Sequence, residues 1–327
     1  MKNKFLKLMT SIVVFITIGC QKKTNNNNQF TAINPLSYTS VVFNATSDTV
    51  LVSTYSGRIS QVIKNRDQEE LIINLNDEIY GLEYAKKQHV VMATTLKSGV
   101  IVIDLKTRKI KKELNVKNDA WINSVHLSEN EEYLTGLDIK GNSYIWDINN
   151  DYELLDFSEE LPKNYIRLAD NNGNLYYQNH LGKYIQWDPK KKKIIKELMV
   201  NGRLVDLDDK GNLAFLNFNE FGIYNTKVNN TAILKFKEKH PYTIYIYPNG
   251  DTVHNSHHLK LTDLRFSDNK VFTAGLDKTI RIWDKQNGNL VDEWYSHNAT
   301  ISDLDISSNK KQLVSVDLKG GIKFWEL

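Results

Sequence analysis

The sequence predicts an all-β protein assembled from copies of one β-hairpin unit. The unit is clearest at residues 270–284, KVFTAGLDKTIRIWD, where two runs with alternating apolar side chains flank a tight turn at Asp277. Alternation with a period of two is typical of a β-strand whose two faces meet different environments. One hairpin cannot bury that many large side chains alone, so we expect further copies that pack against it.

Copies of the unit recur at a nearly constant step along the chain. With the tryptophan of the unit as the anchor, successive anchors are separated by 41, 43, 41, 37, 59 and 42 residues. A Gly or polar turn precedes most anchor runs, as in GNSYIWDI (141–148) and GGIKFWEL (320–327). A fixed period of about 40 residues indicates a repeat architecture. The anchors are Val62, Ile103, Trp146, Trp187, Tyr224, Trp283 and Trp325.

Asp277, the pair Trp283-Asp284 and the step of about 40 residues resemble the WD-repeat family of β-propellers. The resemblance extends from about residue 29 to the end and is strongest in the sixth and seventh repeats. It implies one seven-bladed β-propeller of four-stranded antiparallel blades over residues 29–327. The chain ends two residues after Trp325, so the last repeat lacks an outer strand. In this family the N-terminus often supplies that strand, and we expect residues 29–35 to do so.

Residues 1–19 are predicted to be a signal peptide of the lipoprotein type. Three lysines precede an apolar run of 11 residues at 8–18, which is too short to span a bilayer. Gly19-Cys20 after this run resembles the lipobox of bacterial lipoproteins, in which the cysteine is lipidated and becomes the N-terminus. Cys20 is the only cysteine, and residues 20–28 form a polar, Asn-rich tether. The alternative is an ordinary secretory peptide with an incidental cysteine.

The lipobox resemblance implies a domain outside the cytoplasm, held to a membrane of the bacterial envelope by the lipid alone. Gln21 stands where an Asp retains some lipoproteins in the inner membrane, so we expect the outer membrane. The formal net charge is +3, and without the three leader lysines 39 basic residues balance 39 acidic ones. A nucleic-acid partner is therefore not expected, and we expect a monomeric propeller.

The WD-repeat resemblance also implies a buried, hydrogen-bonded brace made of a His, a Ser or Thr, a turn Asp and the Trp. The matching residues are His257, Thr273, Asp277 and Trp283 in blade six, and His297, Ser315 and Trp325 in blade seven. The Asp position of blade seven holds Lys319, with Asp317 two residues earlier, so we expect this blade to depend more on packing. A His–Asp pair also occurs in catalytic triads, but no nucleophile accompanies it and we predict a structural role.

Four of the eight histidines fall within 19 residues: His240, His254, His257 and His258. Imidazole is a common metal ligand, so a metal site is the alternative to a purely structural segment. We expect no metal, because His257 is assigned to the brace and the side chain of its neighbour would point to the opposite side of an extended segment. No cofactor is expected either.

The step of 59 residues leaves about 18 extra residues ahead of blade six, and we predict an inserted hairpin at about 238–257. Asn-Gly at 249–250, between alternating segments, is a strong hairpin signal, and alternation places Thr243, Tyr245 and Tyr247 on one face. In WD-repeat propellers such connections lie on the face that most often binds partners. The candidate partner-binding residues are Trp121, Tyr245, Tyr247 and His254. The alternative is that these aromatic residues cover the blades.

The leading functional hypothesis is a non-catalytic scaffold that presents one propeller face to a protein partner. The alternatives are a propeller enzyme (a lactonase, another hydrolase or a quinoprotein-like oxidoreductase) and a glycan-binding module of the cell envelope. An enzyme needs acid/base or metal residues gathered at the central tunnel, and the sequence shows no such cluster at comparable repeat positions. Asp206, Asp263 and Asp303 lie near the middle of three inner strands. A shared inward orientation of these three would favour the enzyme.

Overall fold

The computed structural model describes residues 37–327 apart from 67, 115, 117–119, 158, 162–164, 209, 218–219, 228–229, 236–241, 256–259 and 296, with the backbone alone at 230–235, 242–245 and 252–255. The predicted leader, Cys20, the tether, the closing strand at 29–35 and His257 lie outside the described residues. In the described part of the chain every regular element is a β-strand, and no helix is long and apolar enough to cross a membrane.

The strands of the first four blades follow one another along the chain. Blade one contains β1 (Tyr38–Phe43), β2 (Thr49–Thr54), β3 (Arg58–Ile63) and β4 (Glu69–Asn74). Blade two contains β5 (Ile79–Ala85), β6 (Val90–Thr95), β7 (Val100–Asp104) and β8 (Lys109–Leu114). Blade three contains β9 (Ile122–Leu127), β10 (Tyr133–Asp138), β11 (Ser143–Asp147) and β12 (Glu153–Leu154). Blade four contains β13 (Tyr165–Ala169), β14 (Leu175–Gln178), β15 (Tyr184–Asp188) and β16 (Lys193–Leu198).

The remaining strands form three blades and a separate hairpin. Blade five contains β17 (Arg203–Leu207), β18 (Asn212–Asn217), β19 (Glu220–Asn225) and β20 (Asn230–Lys235). The hairpin consists of β21 (Tyr242–Ile246) and β22 (Thr252–Asn255). Blade six contains β23 (Leu261–Phe266), β24 (Lys270–Gly275), β25 (Thr279–Asp284) and β26 (Leu290–Tyr295). Blade seven contains β27 (Ile301–Ile306), β28 (Gln312–Asp317) and β29 (Ile322–Glu326).

The blades form a closed ring, which confirms the predicted seven-bladed β-propeller. All strand pairs within the blades are antiparallel, and six blades have four strands each. Blade seven has three strands among the described residues. The inner strand of each blade contacts the inner strand of the next, and β27 of the last blade contacts β1 of the first. The inner strands β1, β5, β9, β13, β17, β23 and β27 therefore surround a central tunnel.

The seven anchors lie at the same place in every blade. Each is the residue before the last on the third strand and pairs with an apolar residue of the second strand, as Trp283 pairs with Val271 and Trp146 with Leu134. Trp283 is buried and packs against Phe221 of blade five, with 5.2 Å between the ring centroids. The hydrophobic core is thus divided among the gaps between neighbouring blades. Because each gap needs a large apolar side chain, the period of the anchors predicted the blades.

Every inner strand contains one β-bulge, and the bulges lie at the same level. In β23, for example, Leu261 pairs with Gly275 and Asp263 with Ala274, so Thr262 has no partner in the ladder. A bulge redirects the side chain of the extra residue. Nearly all the extra residues line one end of the tunnel, and together we call them the bulge ring: Thr39, Tyr80, Asn123, Arg167, Val205, Thr262 and Ser302.

The inserted hairpin is an antiparallel pair of β21 and β22 with a turn at 248–251. Gly250 has a φ of +90°, which an L side chain rarely adopts, and this explains the Asn-Gly sequence of the turn. The register shifts between Thr243 and Tyr245. A bulge therefore adds one residue to this strand at Ile244.

The two ends of the propeller differ in which connections they contain. We call the end where the inner strands begin the entry face. It contains the turns between second and third strands, the connections from one blade to the next and the bulge ring. We call the other end the exit face, which contains the turns between first and second and between third and fourth strands. The hairpin lies between the end of β20 and the start of β23, so it belongs to the connections of the entry face.

Candidate functional site

The exposed large apolar side chains are distributed unequally between the two faces. Eight of them lie on outer strands, and the remaining eight lie on the entry face or the hairpin. Among the described residues, none lies in an exit-face turn. The largest exposures on the entry face are 76% for Met199 and 69% for Leu181. The entry-face and hairpin set is Tyr55, Ile139, Tyr165, Leu181, Met199, Ile246, Tyr247 and Leu276.

Three aromatic rings form a row on the entry face that crosses blades one to three. The ring centroids of Tyr55 and Tyr80 are 5.4 Å apart, and those of Tyr80 and Trp121 are 4.4 Å apart. The indole Nε1 of Trp121 is buried and has no hydrogen-bond partner among the described residues. Sequence reasoning selected Trp121 but missed the two tyrosines, because Tyr80 reaches the row only through its bulge. We call these residues the aromatic row.

The other predicted partner-binding residues belong to the hairpin. Tyr247 is exposed, and its backbone N–H donates to the carbonyl of Asp251 across the turn at 2.7 Å. The backbones of Tyr245 and His254 lie on β21 and β22, and their side chains lie outside the described residues. The predicted roles of Tyr245 and His254 therefore stay predictions.

The tunnel contains a cluster of carboxyl groups around one arginine, which sequence reasoning did not expect. Asp206, Asp263 and Asp303 occupy the position directly after the bulge in their strands and line the tunnel cavities. Arg265 Nη1 lies 3.1 Å from Asp263 Oδ1, and Arg265 Nη2 lies 3.7 Å from Asp303 Oδ1. Asp305 lies 4.0 Å from Arg265 Nε. The shared inward orientation is thus present, and the earlier expectation of no cluster is wrong.

Two of these aspartates connect neighbouring blades. Asp263 Oδ2 accepts a hydrogen bond from the backbone N–H of Leu304 in blade seven, at 3.2 Å. Asp303 Oδ2 accepts one from the backbone N–H of Val41 in blade one, at 2.9 Å. Ser40, at the same position in blade one, accepts from Leu82 of blade two at 3.1 Å. In blades six, seven and one the position after the bulge therefore binds blades together, because its acceptor satisfies a backbone donor of the next inner strand.

Burial raises the pKa of several tunnel carboxyls. The pKa of Asp303 is raised to about 8 by burial and by the nearby charge of Asp263, and that of Glu83 is raised to about 8 mainly by burial. Burial raises the pKa of Asp305 to about 6. Burial also acts to raise the pKa of Asp206, but the imidazole of His126, 3.9 Å away, and Arg265 more than offset it and hold it low. Part of the cluster is thus protonated near neutral pH.

In blade seven the predicted brace residues form a continuous hydrogen-bonded chain. The Trp325 indole N–H donates to Ser315 Oγ at 2.8 Å, and Ser315 Oγ lies 2.6 Å from His297 Nε2. His297 Nδ1 lies 2.9 Å from Asp317 Oδ2, so Asp317 supplies the acid that the Lys319 position lacks. The expectation that this blade depends mainly on packing is therefore wrong.

Blade six reaches a similar arrangement by a different route. The Trp283 indole N–H donates to Thr273 Oγ1 at 2.9 Å, and Asp277 Oδ2 lies 2.6 Å from Arg281 Nη2. A Cβ added at Gly275, the position equivalent to Asp317, would lie 2.8 Å from Asp277 Oδ1. The side chain of Asp277, in the turn of blade six, thus lies close to the place that the Asp317 side chain occupies in blade seven, although Asp317 is the last residue of its strand. The predicted partner His257 lies outside the described residues.

Comparison with known proteins gives one match. Residues 250–284 and 288–326 match the family model described as WD domain, G-beta repeat. The two matched stretches contain blades six and seven, the blades with the brace. No curated protein matches the chain. Among the described residues no group of His, Cys, Asp and Glu side chains is arranged to hold a metal ion.

Proposed function

We propose that this protein is a non-catalytic scaffold whose entry face binds a protein partner. The observation that carries the proposal is the unequal distribution of exposed apolar side chains, which lie on entry-face connections and on none of the described exit-face turns. Contiguous exposed apolar surface costs free energy in water, and on soluble proteins it commonly marks an interaction site. WD-repeat propellers commonly bind other proteins, and the match of blades six and seven is consistent with this role.

The aromatic row supplies the kind of anchor that such an interface needs. Large aromatic side chains dominate the free energy of binding at protein interfaces when they become fully desolvated. Tyr55 is the exposed member of the row, at 43%, so a partner that covers it would desolvate the end of the row that water reaches.

We further propose that the domain is held on the bacterial envelope by lipid on Cys20, with the outer membrane favoured by Gln21. The lysines of residues 1–7, the apolar run at 8–18 and the single cysteine support this anchor. The polar tether at 20–28 would span at most roughly 30 Å when extended. The domain would then be held close to the membrane as a monomer.

The decisive experiment compares capture of partners by two matched double variants. Ile139→Thr with Leu181→Thr removes apolar surface from the entry face, and Ile194→Thr with Val291→Thr removes a similar amount from outer strands. All four side chains are more than half exposed, at 56%, 69%, 59% and 58% in that order, so the fold should survive in both variants. Each full-length protein is extracted from its envelope and used to capture proteins from the same extract.

We expect the entry-face variant to lose a captured protein by tenfold or more, because interface residues with large effects contribute roughly 1–2 kcal/mol or more each. The outer-strand variant should retain it. Equal capture by both variants would contradict the proposed face. Capture of peptidoglycan fragments in place of protein, lost on replacement of Trp121, would favour the glycan-binding alternative.

The convergence of Asp206, Asp263 and Asp303 favours an enzyme as the second candidate. Asp206 is the best-placed acid or base, because its pKa is held low, it faces His126, and among the described residues it makes no hydrogen bond to blade six. The test is hydrolysis of small lactones and esters by the purified protein and by Asp206→Asn. Turnover that falls at least 100-fold in the variant would replace the scaffold proposal, whereas no turnover by either protein leaves the scaffold as the better account.

A further inference from the structure

We propose that Arg167 and Arg203 form a site for a carboxylate group at the entry mouth of the tunnel. The inference deepens the proposed function, since the carboxylate would belong to a side chain or chain end of the protein partner. Both residues line a cavity of about 190 Å³ that also contains Tyr80 of the aromatic row. The site therefore continues the apolar surface of the entry face into the tunnel.

Local structure places the two arginines side by side. Arg167 is the bulge-ring residue of blade four, and Arg203 is the first residue of β17 in blade five. Burial lowers the pKa of Arg167, and the charge of Arg203 lowers it further, so the two cations are close enough to repel. The fold thus holds two like charges together in a partly enclosed space.

Neither arginine has a counter-ion among the described residues. Arg167 shares a hydrogen bond with the hydroxyl of Tyr184, and its buried Nε has no hydrogen-bond partner in the part of the chain that the structure describes. Arg203 Nη2 donates to the backbone carbonyl of Thr262 at 3.3 Å. Both of these contacts are with neutral groups, so neither contact is an ion pair.

Two other arginines of this protein, in contrast, have acidic partners within the chain. Arg265 lies within 4.0 Å of Asp263, Asp303 and Asp305. Arg281 is fully buried between Asp277 and Glu293. A buried cation normally has an acidic partner, because the loss of hydration costs several kcal/mol. Arg167 is partly buried, and the lack of an acidic partner for it among the described residues is the feature that indicates an external anion.

The surroundings favour a carboxylate over a phosphate. Asp263 lines the same cavity and would repel a second negative charge, which a phosphate ester carries in part at neutral pH. A carboxylate carries one charge and fits two guanidinium groups with paired hydrogen bonds. Uncharged hydroxyl and amide groups also line the cavity: Thr39, Asn123, Thr262 and Ser302. Among the described residues, the buried Thr262 Oγ1 has no hydrogen-bond partner.

The test titrates the full-length protein, in non-ionic detergent, with hexaglutamate, hexalysine and inorganic phosphate, and measures binding by calorimetry and by fluorescence of the aromatic row. Hexaglutamate is expected to bind the wild type, more weakly as salt rises. Arg167→Gln and Arg203→Gln should each weaken it roughly tenfold or more, because a charge-assisted contact is lost. Arg167→Lys should give an intermediate affinity, because lysine keeps the positive charge but lacks the paired N–H donors of the guanidinium group.

The matched control is Arg108→Gln, which removes an exposed arginine that pairs with Glu70 on the outside of blade two, and it should bind like the wild type. Arg203 is exposed, so its variant remains informative if Arg167→Gln fails to fold. Tight binding of hexalysine or phosphate without hexaglutamate, or equal binding by all variants, would overturn the proposal. Because no partner protein is present, this result is separate from the capture experiment on the entry face.

Discussion

The entry and exit faces are built from the same seven inner strands, yet their connections have opposite character. Exit-face turns are short and polar, such as Asp170–Asn174, where Asp170 Oδ1 accepts from the backbone N–H groups of Asn172 and Asn174 at 2.9 Å each. Entry-face connections instead expose Leu181, Met199 and Tyr55 of the aromatic row. Both kinds of connection join the strands of the same blades. The geometry of a connection alone therefore does not require the apolar residues on the entry face. The difference indicates a requirement of binding at one face only.

The largest expected loss of stability comes from a substitution in the hydrophobic core, which supports both faces. Trp283→Ala should lower the free energy of unfolding by about 3–5 kcal/mol, because it empties the space between blades five and six and frees Thr273 Oγ1. Urea unfolding of the full-length protein measures the change. The exposed Tyr295, replaced by Ala, is the matched control and should change stability by less than about 0.5 kcal/mol. Equal effects of the two substitutions would show that the blade assignment fails.

A smaller effect is expected at the brace, beneath the entry face. The pKa of Asp317 is lowered to about 2 despite its burial, because it accepts hydrogen bonds from His297 and from the backbone N–H groups of Gly321 and Lys319. Asp317→Asn should therefore cost roughly 1.5–3 kcal/mol of unfolding free energy at neutral pH.

The pH dependence follows from the sign of that shift. A carboxyl whose folded pKa lies below its unfolded value of 3.8 stabilises the fold above that value and loses this contribution as pH falls towards about 2. The difference in unfolding free energy between the wild type and Asp317→Asn should thus shrink steadily below about pH 4. A difference that is independent of pH over this range would mean that the ionised carboxylate is not what stabilises blade seven.

The smallest effect is expected on the exit face. Asp268 lies 2.7 Å from Lys210 Nζ and 3.2 Å from Lys310 Nζ, so it links blades five, six and seven through exposed ion pairs. Asp268→Asn should leave both the unfolding midpoint and partner capture within experimental error, because exposed pairs are screened by water and salt. Lost capture would place a partner on the exit face as well and remove the contrast between the faces.

The blades could be predicted from the sequence because their physical requirement is local. Each gap between blades needs one large apolar residue at a fixed place on the third strand, and the anchors from Val62 to Trp325 show that requirement directly. The inserted hairpin was equally visible, since Asn249-Gly250 fits a turn with positive φ.

The site was harder to predict because it depends on contacts across the ring. The sequence predicts no role for Asp317 in the brace, because its spacing from Trp325 differs from the spacing of Asp277 from Trp283. Only the folded structure shows that the two carboxylates lie in similar places. Arg167 and Arg203 are 36 positions apart and become neighbours only when blades four and five pack. Tyr80 joined the aromatic row through a bulge that no local pattern indicated.

The residues of the bulge ring line the tunnel mouth, where a ligand would bind, but take no part in the pairing of strands. Each of its residues stands outside the hydrogen-bond ladder of its blade, as Arg167 does between Ile166 and Leu168. We expect a substitution at such a position to change the chemistry of the tunnel mouth without removing a residue pair from the ladder. The ring therefore offers seven points, one per blade, at which specificity can diverge in descendants of this protein with little loss of stability. It is also the natural place to introduce new binding specificity by design.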